Sequence, residues 1–340
     1  MKIYHSEKHR LHDPPFEVFD GGLRAPYLEN PDRMDRVLSA LRGADWAEVH
    51  EPTDFGLDPI LDVHDEEYLD FLASAWTEWL ASDPTDPSVL IPATFALRRQ
   101  PHRPKSLLGL AGYYIMDLSA CIVEGTYQAA LASANSALSA AQAVSEGDRS
   151  AFALSRPPGH HAGRDYAGGY CFINNAAVAA HQLSSIGRVA VLDIDYHAGN
   201  GTQDIFYSRA DVMTVSIHAD PDFEYPHFIG FADERGVDDG LGFHQNFPLN
   251  KGTGDEEYLQ VLELALTLIR GFKPAYLVLS AGMDIYADDP LGTIKVSTQG
   301  IGEIGKRIAS LDLPTVIVME GGYANEALGK NVLALLNEFK

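Results

Sequence analysis

The sequence has 340 residues, of which 46% are hydrophobic and 21% are charged, and its formal net charge is −23 at pH 7. This composition is typical of a globular protein and excludes disordered, collagen-like and coiled-coil chains. A surface this acidic repels nucleic acids and anionic membranes, and it attracts cations, including cationic small molecules. We therefore expect no nucleic acid and no membrane among the partners; the alternative role of the charge is solubility alone.

The chain contains two cysteines, Cys121 and Cys171, and no Cys-x-x-Cys pair. Such scarcity excludes a disulfide framework and fits a reducing compartment. The N-terminal segment has no apolar signal core, and no run of about 18 apolar residues is available to span a membrane. We therefore expect a cytoplasmic protein.

Apolar, β-branched segments alternate with helical patterns along the chain. In chain order we predict a helix with Asn30 as its N-cap, helices over Asp65–Leu80 and Thr126–Val144, strands over Ser150–Ser155, Val189–Tyr196 and Val212–His218, a helix over Glu256–Arg270, a strand over Tyr276–Ala281, a helix over Thr298–Ser310 and a strand over Thr315–Glu320. This alternation predicts a parallel sheet with helices on both faces.

Residues 82–112 interrupt the alternation and contain five prolines: Pro84, Pro87, Pro92, Pro101 and Pro104. Prolines at this density exclude a long helix or a central strand. Loops of this length are usually functional or interaction elements, and a tolerated surface insertion is the alternative. We interpret the segment as an insertion loop within one domain that spans residues 1–340.

Residues with metal-binding chemistry follow two of the predicted strands, at the edge where parallel sheets bind ligands. Asp195 and His197 are two residues apart, so their side chains point to the same side of an extended backbone. Asp284 follows another strand and is a candidate third ligand. Two carboxylates and an imidazole with an open position predict a hydrolytic metal centre. If either carboxylate is considered alone, the alternative interpretation is that it only caps a helix.

Residues suited to proton transfer and oxyanion binding follow two further strands. His160 and His161 are adjacent in a Pro/Gly turn, and histidine titrates near working pH. Each needs a partner that fixes its tautomer, and Asp193 and Asn200 are the candidates. Tyr323 follows two glycines after the last predicted strand and is a candidate donor to a developing oxyanion.

Several motifs occur in a fixed order along the chain. They are Asn30-Pro31-x-Arg33, Val63-His64-x3-Tyr68-Leu69, Arg156-Pro-Pro-Gly-His160-His161-Ala, Gly168-Gly169-Tyr170-Cys-Phe-Ile-Asn174-Asn175, Asp193-x-Asp195-x-His197, Asp284-x3-Asp288-Asp289-Pro290 and Glu320-Gly-Gly-Tyr323. Together they resemble the histone deacetylase superfamily of zinc-dependent deacetylases over nearly the whole chain. Within that family, Gly112-Tyr113-Tyr114 after the insertion and Tyr225-Pro226-His227-Phe228 look most like the bacterial acetylpolyamine amidohydrolases.

The resemblance implies an arginase–deacetylase fold, a single three-layer α/β domain with a central, mostly parallel eight-stranded sheet. It implies Zn²⁺ bound by Asp195, His197 and Asp284, although Fe²⁺ and Co²⁺ accept the same ligands. It also implies that the tandem histidines transfer protons, with His161 the main general base, and that Tyr323 polarises the acetyl carbonyl.

Further sites are implied by the same resemblance. A structural monovalent cation, usually K⁺, would be held by Asp193, Asp195, His197 and Ser216. Gly169 and Tyr170 would line the acyl side of the tunnel, together with Leu291. Apart from what the resemblance implies, Tyr225 and Asp117 are further substrate-binding candidates, Asp117 because it lies close to the positions where the family carries acids. The insertion would lie at the interface of a homodimer and narrow the entrance to the active site.

The chain departs from the family pattern in two respects. Ala198 stands where the family usually has a second histidine after the zinc ligand, but that position does not bind metal. The polyamine enzymes carry acids that meet the distant ammonium group of the substrate, and these positions are Leu108 and Ser119 here. Asp117 is the only acid in Arg103–Ser119, so we expect at most one carboxylate near the ammonium and weak discrimination among acetylated diamines.

Three functions therefore compete. The leading hypothesis is a zinc-dependent deacetylase that converts small N-acetylated amines, such as acetylpolyamines, to acetate and free amine. The alternative is a deacetylase of acetyl-lysine in peptides or proteins, or of another acyl amide. A non-catalytic binding module is disfavoured because every predicted ligand and proton-transfer residue is present. Ala198 also disfavours an arginase-type dimanganese enzyme, which needs a second cluster of ligands.

Overall fold

The computed structural model describes residues 1–19, 22–96 and 102–340. The strands within these ranges are β1 (Lys2–Tyr4), β2 (Glu17–Phe19), β3 (Leu23–Ala25), β4 (Glu48–His50), β5 (Ser150–Ala153), β6 (Val189–Asp193), β7 (Val212–Ala219), β8 (His244–Leu249), β9 (Tyr276–Ala281) and β10 (Thr315–Met319). The α-helices are α1 (Asp32–Leu41), α2 (Asp58–Leu61), α3 (Glu66–Ala81), α4 (Leu107–Tyr114), α5 (Thr126–Ser145), α6 (Asn175–Ser184), α7 (Asn200–Phe206), α8 (Asp255–Phe272), α9 (Thr298–Ala309) and α10 (Asn325–Leu336). No helix in these ranges is long and apolar enough to cross a bilayer.

Eight strands form one sheet in the order β4-β1-β5-β10-β9-β6-β7-β8, and every neighbouring pair is parallel. The predicted α/β fold with an eight-stranded sheet is therefore confirmed, and the sheet is parallel throughout. The remaining two strands, β2 and β3, form a separate antiparallel hairpin.

Helices cover both faces of the sheet, and the two faces build separate hydrophobic cores. Along β6, Val189 and Val191 pack into the core beneath α3, α5 and α6, whereas Ala190 and Leu192 pack into the core beneath α1, α8, α9 and α10. This alternation follows from the two-residue period of a strand. Because both faces are apolar, the central strands read as continuous hydrophobic segments in the sequence.

Two local predictions were wrong. Asn30 is not the N-cap of α1: Pro31 is, and Asn30 instead accepts a hydrogen bond from Arg33 N at its backbone oxygen. The insertion is also not a loop throughout, since α4 begins at Leu107 within it, with Ser106 as its N-cap. All five prolines lie before that position, so none interrupts the helix.

Candidate active site

Four adjacent strands in the middle of the sheet, β5, β10, β9 and β6, carry the candidate catalytic segments at their carboxyl ends. Because all four run parallel, these ends lie at one edge, where ligands of such sheets bind. The tandem histidines follow β5, Tyr323 follows β10, Asp284 follows β9, and Asp195 follows β6. The fold therefore brings together residues that are far apart in the sequence.

The three predicted metal ligands form one compact group. His197 Nδ1 lies 3.3 Å from Asp195 Oδ1 and 3.3 Å from Asp284 Oδ2, and one ligand atom of each residue lies within 4.8 Å of the others. Asp284 Oδ1 accepts a hydrogen bond from Tyr196 N, whereas the buried Oδ2 has no well-aligned hydrogen-bond partner among the described residues. A donor set of two carboxylates and an imidazole with an unsatisfied oxygen fits a divalent metal.

Glycine 321 makes room for this group. Its backbone N donates to Asp195 Oδ2 at 2.8 Å. A Cβ on Gly321 would lie 2.3 Å from Asp284 Oδ2 and 2.6 Å from Asp195 Oδ2, which is closer than real contacts allow. The glycine after β10 is thus required by close approach of the backbone to the two carboxylates.

The two carboxylates differ in their electrostatic environment. Burial raises the pKa of Asp284 to about 7, and the charge of Asp195 adds to the shift. Burial also opposes ionisation of Asp195, but His160 and His197 outweigh it and hold its pKa below the ordinary value. Two buried carboxylates this close to each other need a compensating positive charge.

The tandem histidines have different partners, as expected. His160 Nδ1 lies 3.0 Å from Asp193 Oδ2, and His161 Nδ1 lies 2.6 Å from Asn200 Oδ1. Burial opposes the charged form of His160, but the carboxylates of Asp195 and Asp193 outweigh it and raise its pKa. Burial lowers the pKa of His161, and the rings of His160 and His197 lower it further. Neighbouring groups whose pKa values are driven apart are typical of acid–base sites.

A cavity of about 560 Å³ opens onto this edge. The predicted site residues that line it are His161, His197, Tyr323, Gly169, Tyr170, Tyr225, Leu291 and Asp117. The other predicted residues, His160, Asp193, Asp195, Asn200, Ser216 and Asp284, are buried and are not among its lining residues. The predicted substrate-binding residues therefore all line the same cavity. Most of the predicted metal ligands, and the residues predicted to hydrogen-bond the histidines, lie buried behind it.

The cavity has more acids than the stretch Arg103–Ser119 supplies. Glu17 from β2 and Glu224 line the cavity together with Asp117, so it has three acids among the described residues. The Asp117 carboxylate is also heavily used, because Oδ2 accepts hydrogen bonds from Gly169 N at 2.7 Å and from Tyr225 Oη at 2.6 Å. The expectation of at most one carboxylate near the ammonium group counted acids in one stretch of chain, whereas the rim is assembled from segments distant in sequence.

Buried polar residues that the sequence did not single out hold the catalytic segments. Glu320 accepts hydrogen bonds from the backbone N of Gly159 and His160, and burial raises its pKa to about 7. Asp289 Oδ2 accepts from Tyr323 N at 2.6 Å. Glu320 and Asp289 could have been singled out from the sequence because they lie in the Glu-Gly-Gly and Asp-Asp-Pro motifs. Their roles could not, because these roles depend on contacts between segments that follow different strands.

The chain matches the family model of the histone deacetylase domain over residues 27–339. The chain belongs to the histone deacetylase family. The recognised resemblance is thus confirmed, and this deacetylase-family chain is an amidohydrolase that removes acyl groups from amides. It is 47% identical to acetylpolyamine amidohydrolase 1 of Pseudomonas aeruginosa, an alignment that covers 100% of this chain and 99% of the relative.

Two further comparisons agree. The acetylpolyamine amidohydrolase of Mycoplana ramosa is 41% identical, with 99% of this chain and 98% of the relative covered. The crystal structure of the acetylpolyamine aminohydrolase from Burkholderia pseudomallei superposes with a TM-score of 0.96 at 43% identity, covering 100% of this chain and 98% of that one. The deacetylase fold therefore extends over the whole chain.

Proposed function

We propose that this deacetylase acts on small N-acetylated amines of the acetylpolyamine type, giving acetate and free amine, with Zn²⁺ held by Asp195, His197 and Asp284. The observation that carries the proposal is one cavity that joins His161, His197 and Tyr323 with three carboxylates. The names of the similar proteins, which are acetylpolyamine amidohydrolases, support the same substrate class.

The residues around the metal site suit amide hydrolysis. A bound Zn²⁺ supplies Lewis acidity and a water whose pKa is lowered to about 7. The side-chain oxygen Oδ1 of Asn200 accepts a hydrogen bond from Nδ1 of His161. Nε2 of His161 is therefore free to take a proton from the attacking water. The same nitrogen then returns the proton to the departing amine. His160, beside Asp193, is the second proposed proton-handling residue.

Tyr323 is the proposed oxyanion donor. It lines the cavity with His161, and burial raises the pKa of its hydroxyl well above the ordinary value. The hydroxyl therefore stays protonated and donates to the acetyl oxygen as negative charge develops there. One donor of this kind is typically worth about 3–4 kcal/mol in the transition state.

The carboxylates favour a cationic substrate. Glu17, Asp117 and Glu224 line the same cavity as the proposed metal site, so a terminal ammonium group has negative partners within reach. Oδ2 of Asp117 is occupied by Gly169 and Tyr225, and Oε1 and Oε2 of Glu17 are occupied by Leu28 N and Tyr170 Oη. Each oxygen of Glu17 can still accept a second hydrogen bond. Asp117 Oδ2 already accepts two, and its Oδ1 accepts three from Ser119 and Ala120, so Asp117 contributes its charge rather than a free acceptor.

Four further assignments belong to this proposal. A K⁺ ion at Asp193, Asp195, His197 and Ser216 is supported by the pairing of Asp193 with Ser216 between β6 and β7. An entrance role for the insertion is supported by Phe95, which lines the cavity. The homodimer with this insertion at its interface, and the cytoplasmic location, stay predictions.

Substrate comparison tests the proposal. We expect kcat/KM for acetylcadaverine to exceed that for uncharged N-hexylacetamide, which has the same length, by about tenfold or more, the effect of one charge-assisted hydrogen bond. An acetyl-lysine peptide should be slower than acetylcadaverine. Glu224→Gln should reduce the preference, while Asp239→Asn, a change of the same charge at an exposed site, should not. Equal rates for all substrates, or fastest turnover of the peptide, would contradict the proposal.

A further inference from the structure

A second cluster of potential metal ligands lies at the end of β1. His5 and His9 are 4% and 2% exposed, and Glu7 stands between them at the start of a 3-10 helix, Glu7–Leu11, with its side chain 64% exposed. His5 Nε2 lies 3.8 Å from Glu7 Oε1, and the two imidazole centroids are 4.9 Å apart. One ligand atom of each residue lies within 4.8 Å of the other two.

The imidazole nitrogens of this cluster lack partners. Neither ring nitrogen of His9, nor Nε2 of His5, has a hydrogen-bond partner in the parts of the chain that the structure describes. Burying such groups without a partner is unfavourable. His5 Nδ1 faces the Leu154 carbonyl oxygen at 3.5 Å, which leaves Nε2 as the lone-pair nitrogen on the Glu7 side. A backbone carbonyl on the opposite nitrogen is the usual support of a metal-bound histidine.

Arg10 orients the carboxylate of the cluster. Its Nε donates to Glu7 Oε2 at 2.8 Å, which leaves Oε1 on the side of His5. A second hydrogen bond joins Arg10 Nη2 to Asp35 Oδ1, so the guanidinium is shared between two carboxylates. This sharing reduces its repulsion of a cation at Glu7.

We propose that His5, Glu7 and His9 form a second metal site, which takes a divalent transition-metal ion such as Zn²⁺. Two imidazoles and a carboxylate are zinc ligands that leave a coordination position for water. A surface cavity lined by His5 and Glu7, together with His50 and Glu51, gives water access to that position. None of these residues lines the active-site cavity.

The site is structural rather than catalytic. His9 O accepts a hydrogen bond from Arg156 Nη1 at 2.6 Å, and His5 faces Leu154 O. Both partners lie in the segment between β5 and the tandem histidines. A metal ion that joins His5 to His9 therefore connects β1 and the 3-10 helix to the beginning of that segment.

Zinc stoichiometry tests the proposal. Chelator-stripped protein is dialysed against buffered micromolar Zn²⁺, and zinc per chain is measured by plasma emission. We expect zinc at both sites in the unchanged protein and a loss of one equivalent in Glu7→Gln and in His9→Gln. Glu7→Gln changes a mostly exposed side chain, so the test does not depend on whether the buried His9 variant folds. His50→Gln, which removes an imidazole from the same cavity, should keep both ions.

The outcomes separate this site from the catalytic centre. Asp284→Ala should lose one zinc, and Asp284→Ala combined with Glu7→Gln should lose both. The second site is refuted if the unchanged protein binds only the zinc that Asp284→Ala removes, a result that leaves the proposed function intact. It is also refuted if Glu7→Gln retains both ions, or if His50→Gln loses zinc to the same extent. Loss in Glu7→Gln without loss in Asp284→Ala supports this site and contradicts the catalytic centre.

Discussion

At the scale of single residues, the carboxylate of Asp284 is the group of the candidate site that most needs a positively charged partner. It is fully buried, it lies beside the carboxylate of Asp195, and its Oδ2 has no well-aligned hydrogen bond within the described residues. Neutral packing cannot satisfy an oxygen in that position. A divalent cation can, because it supplies charge and a coordination bond together.

Removal of Asp284 should therefore remove the metal. We expect Asp284→Ala to lose both bound zinc from this centre and amide hydrolysis, because each of three ligands holds one coordination position. Asp288→Ala is the matched control, since Asp288 is an exposed aspartate four residues away. Metal analysis and turnover of acetylcadaverine measure the two effects. A fully active Asp284→Ala protein with its zinc retained at this centre would refute the ligand assignment.

Tyr323→Phe isolates a single hydroxyl group. The ring that packs against Tyr170, with centroids 5.7 Å apart, is retained, and only the donor is lost. We expect kcat to fall by about 100-fold or more while zinc content and the unfolding midpoint stay unchanged. Steady-state kinetics and thermal unfolding measure these quantities. A decrease of kcat below about tenfold would mean that another group stabilises the oxyanion.

Gly321→Ala tests the space beside the metal ligands. The added Cβ would approach the two carboxylates to within 2.3 and 2.6 Å, so we expect loss of zinc affinity by more than about tenfold. Gly271→Ala is the control: it lies in α8, and its added Cβ would meet no atom within 4 Å. That variant should keep zinc and gain up to about 1 kcal/mol in unfolding free energy. Zinc titration and urea unfolding distinguish the two results.

At the scale of elements, a buried ionic cluster fixes α1 to the catalytic loops. Arg33 Nε donates to Gly322 O at 2.8 Å, and Arg33 Nη2 donates to Glu320 O at 2.6 Å. Its Nη1 bonds Glu29 Oε1 at 2.7 Å, and Arg156 Nε lies 3.0 Å from the same oxygen. Helix α1 therefore holds the backbone on which Tyr323 is carried.

Arg33→Ala should destabilise the protein strongly. It leaves two backbone carbonyls without their donor and reduces the compensation of the buried Glu29 charge. Breaking a buried ion pair in this way typically costs about 3–5 kcal/mol of unfolding free energy. Arg36→Ala, an exposed arginine on the same helix, should change it by less than about 0.5 kcal/mol. Urea unfolding of both variants measures the difference, and equal values would show that the cluster is not stabilising.

The elements that the sequence predicts well are those with long, uniform patterns. Strand β9 is found with the predicted bounds, and α5 differs from its prediction by one residue. Strands β1 and β4 are only three residues long, and β8 contains His244 and Pro248, so none of them carries a continuous apolar pattern. Their pairing depends on neighbouring strands, which local periodicity does not contain.

The residues of the candidate site likewise divide into those that the local sequence indicates and those that only the tertiary structure reveals. The candidate ligands and candidate proton-transfer residues could be singled out because each lies in a short motif that follows a strand. Glu17 and Glu224 were not, because they belong to segments without such a motif and reach the cavity only through tertiary structure. The strand predicted over Val189–Tyr196 ends at Asp193, since the chain turns there to direct Asp195 and His197 toward Asp284.

At the scale of the whole molecule, the net charge of −23 should act on substrate encounter. We expect kcat/KM for acetylcadaverine to fall between about 0.01 M and 0.15 M salt, because salt screens the long-range field. N-hexylacetamide is uncharged, so its kcat/KM should stay constant. The preference that remains in salt measures the local contribution of the cavity acids. Parallel rate measurements with both substrates test this, and identical salt dependences would exclude steering by the net charge.

The order of the strands also determines which part of the chain must be present before the candidate site can be assembled. Strand β10 lies between β5 and β9, although both neighbours leave the ribosome before it. Domains generally fold as units, so the sheet cannot be completed at its centre until β10 has been synthesised. The residues that follow β10 then deliver Gly321 to the acids and Tyr323 to the cavity. A chain that stops before β10 therefore carries the candidate acids and histidines but lacks Gly321 and Tyr323.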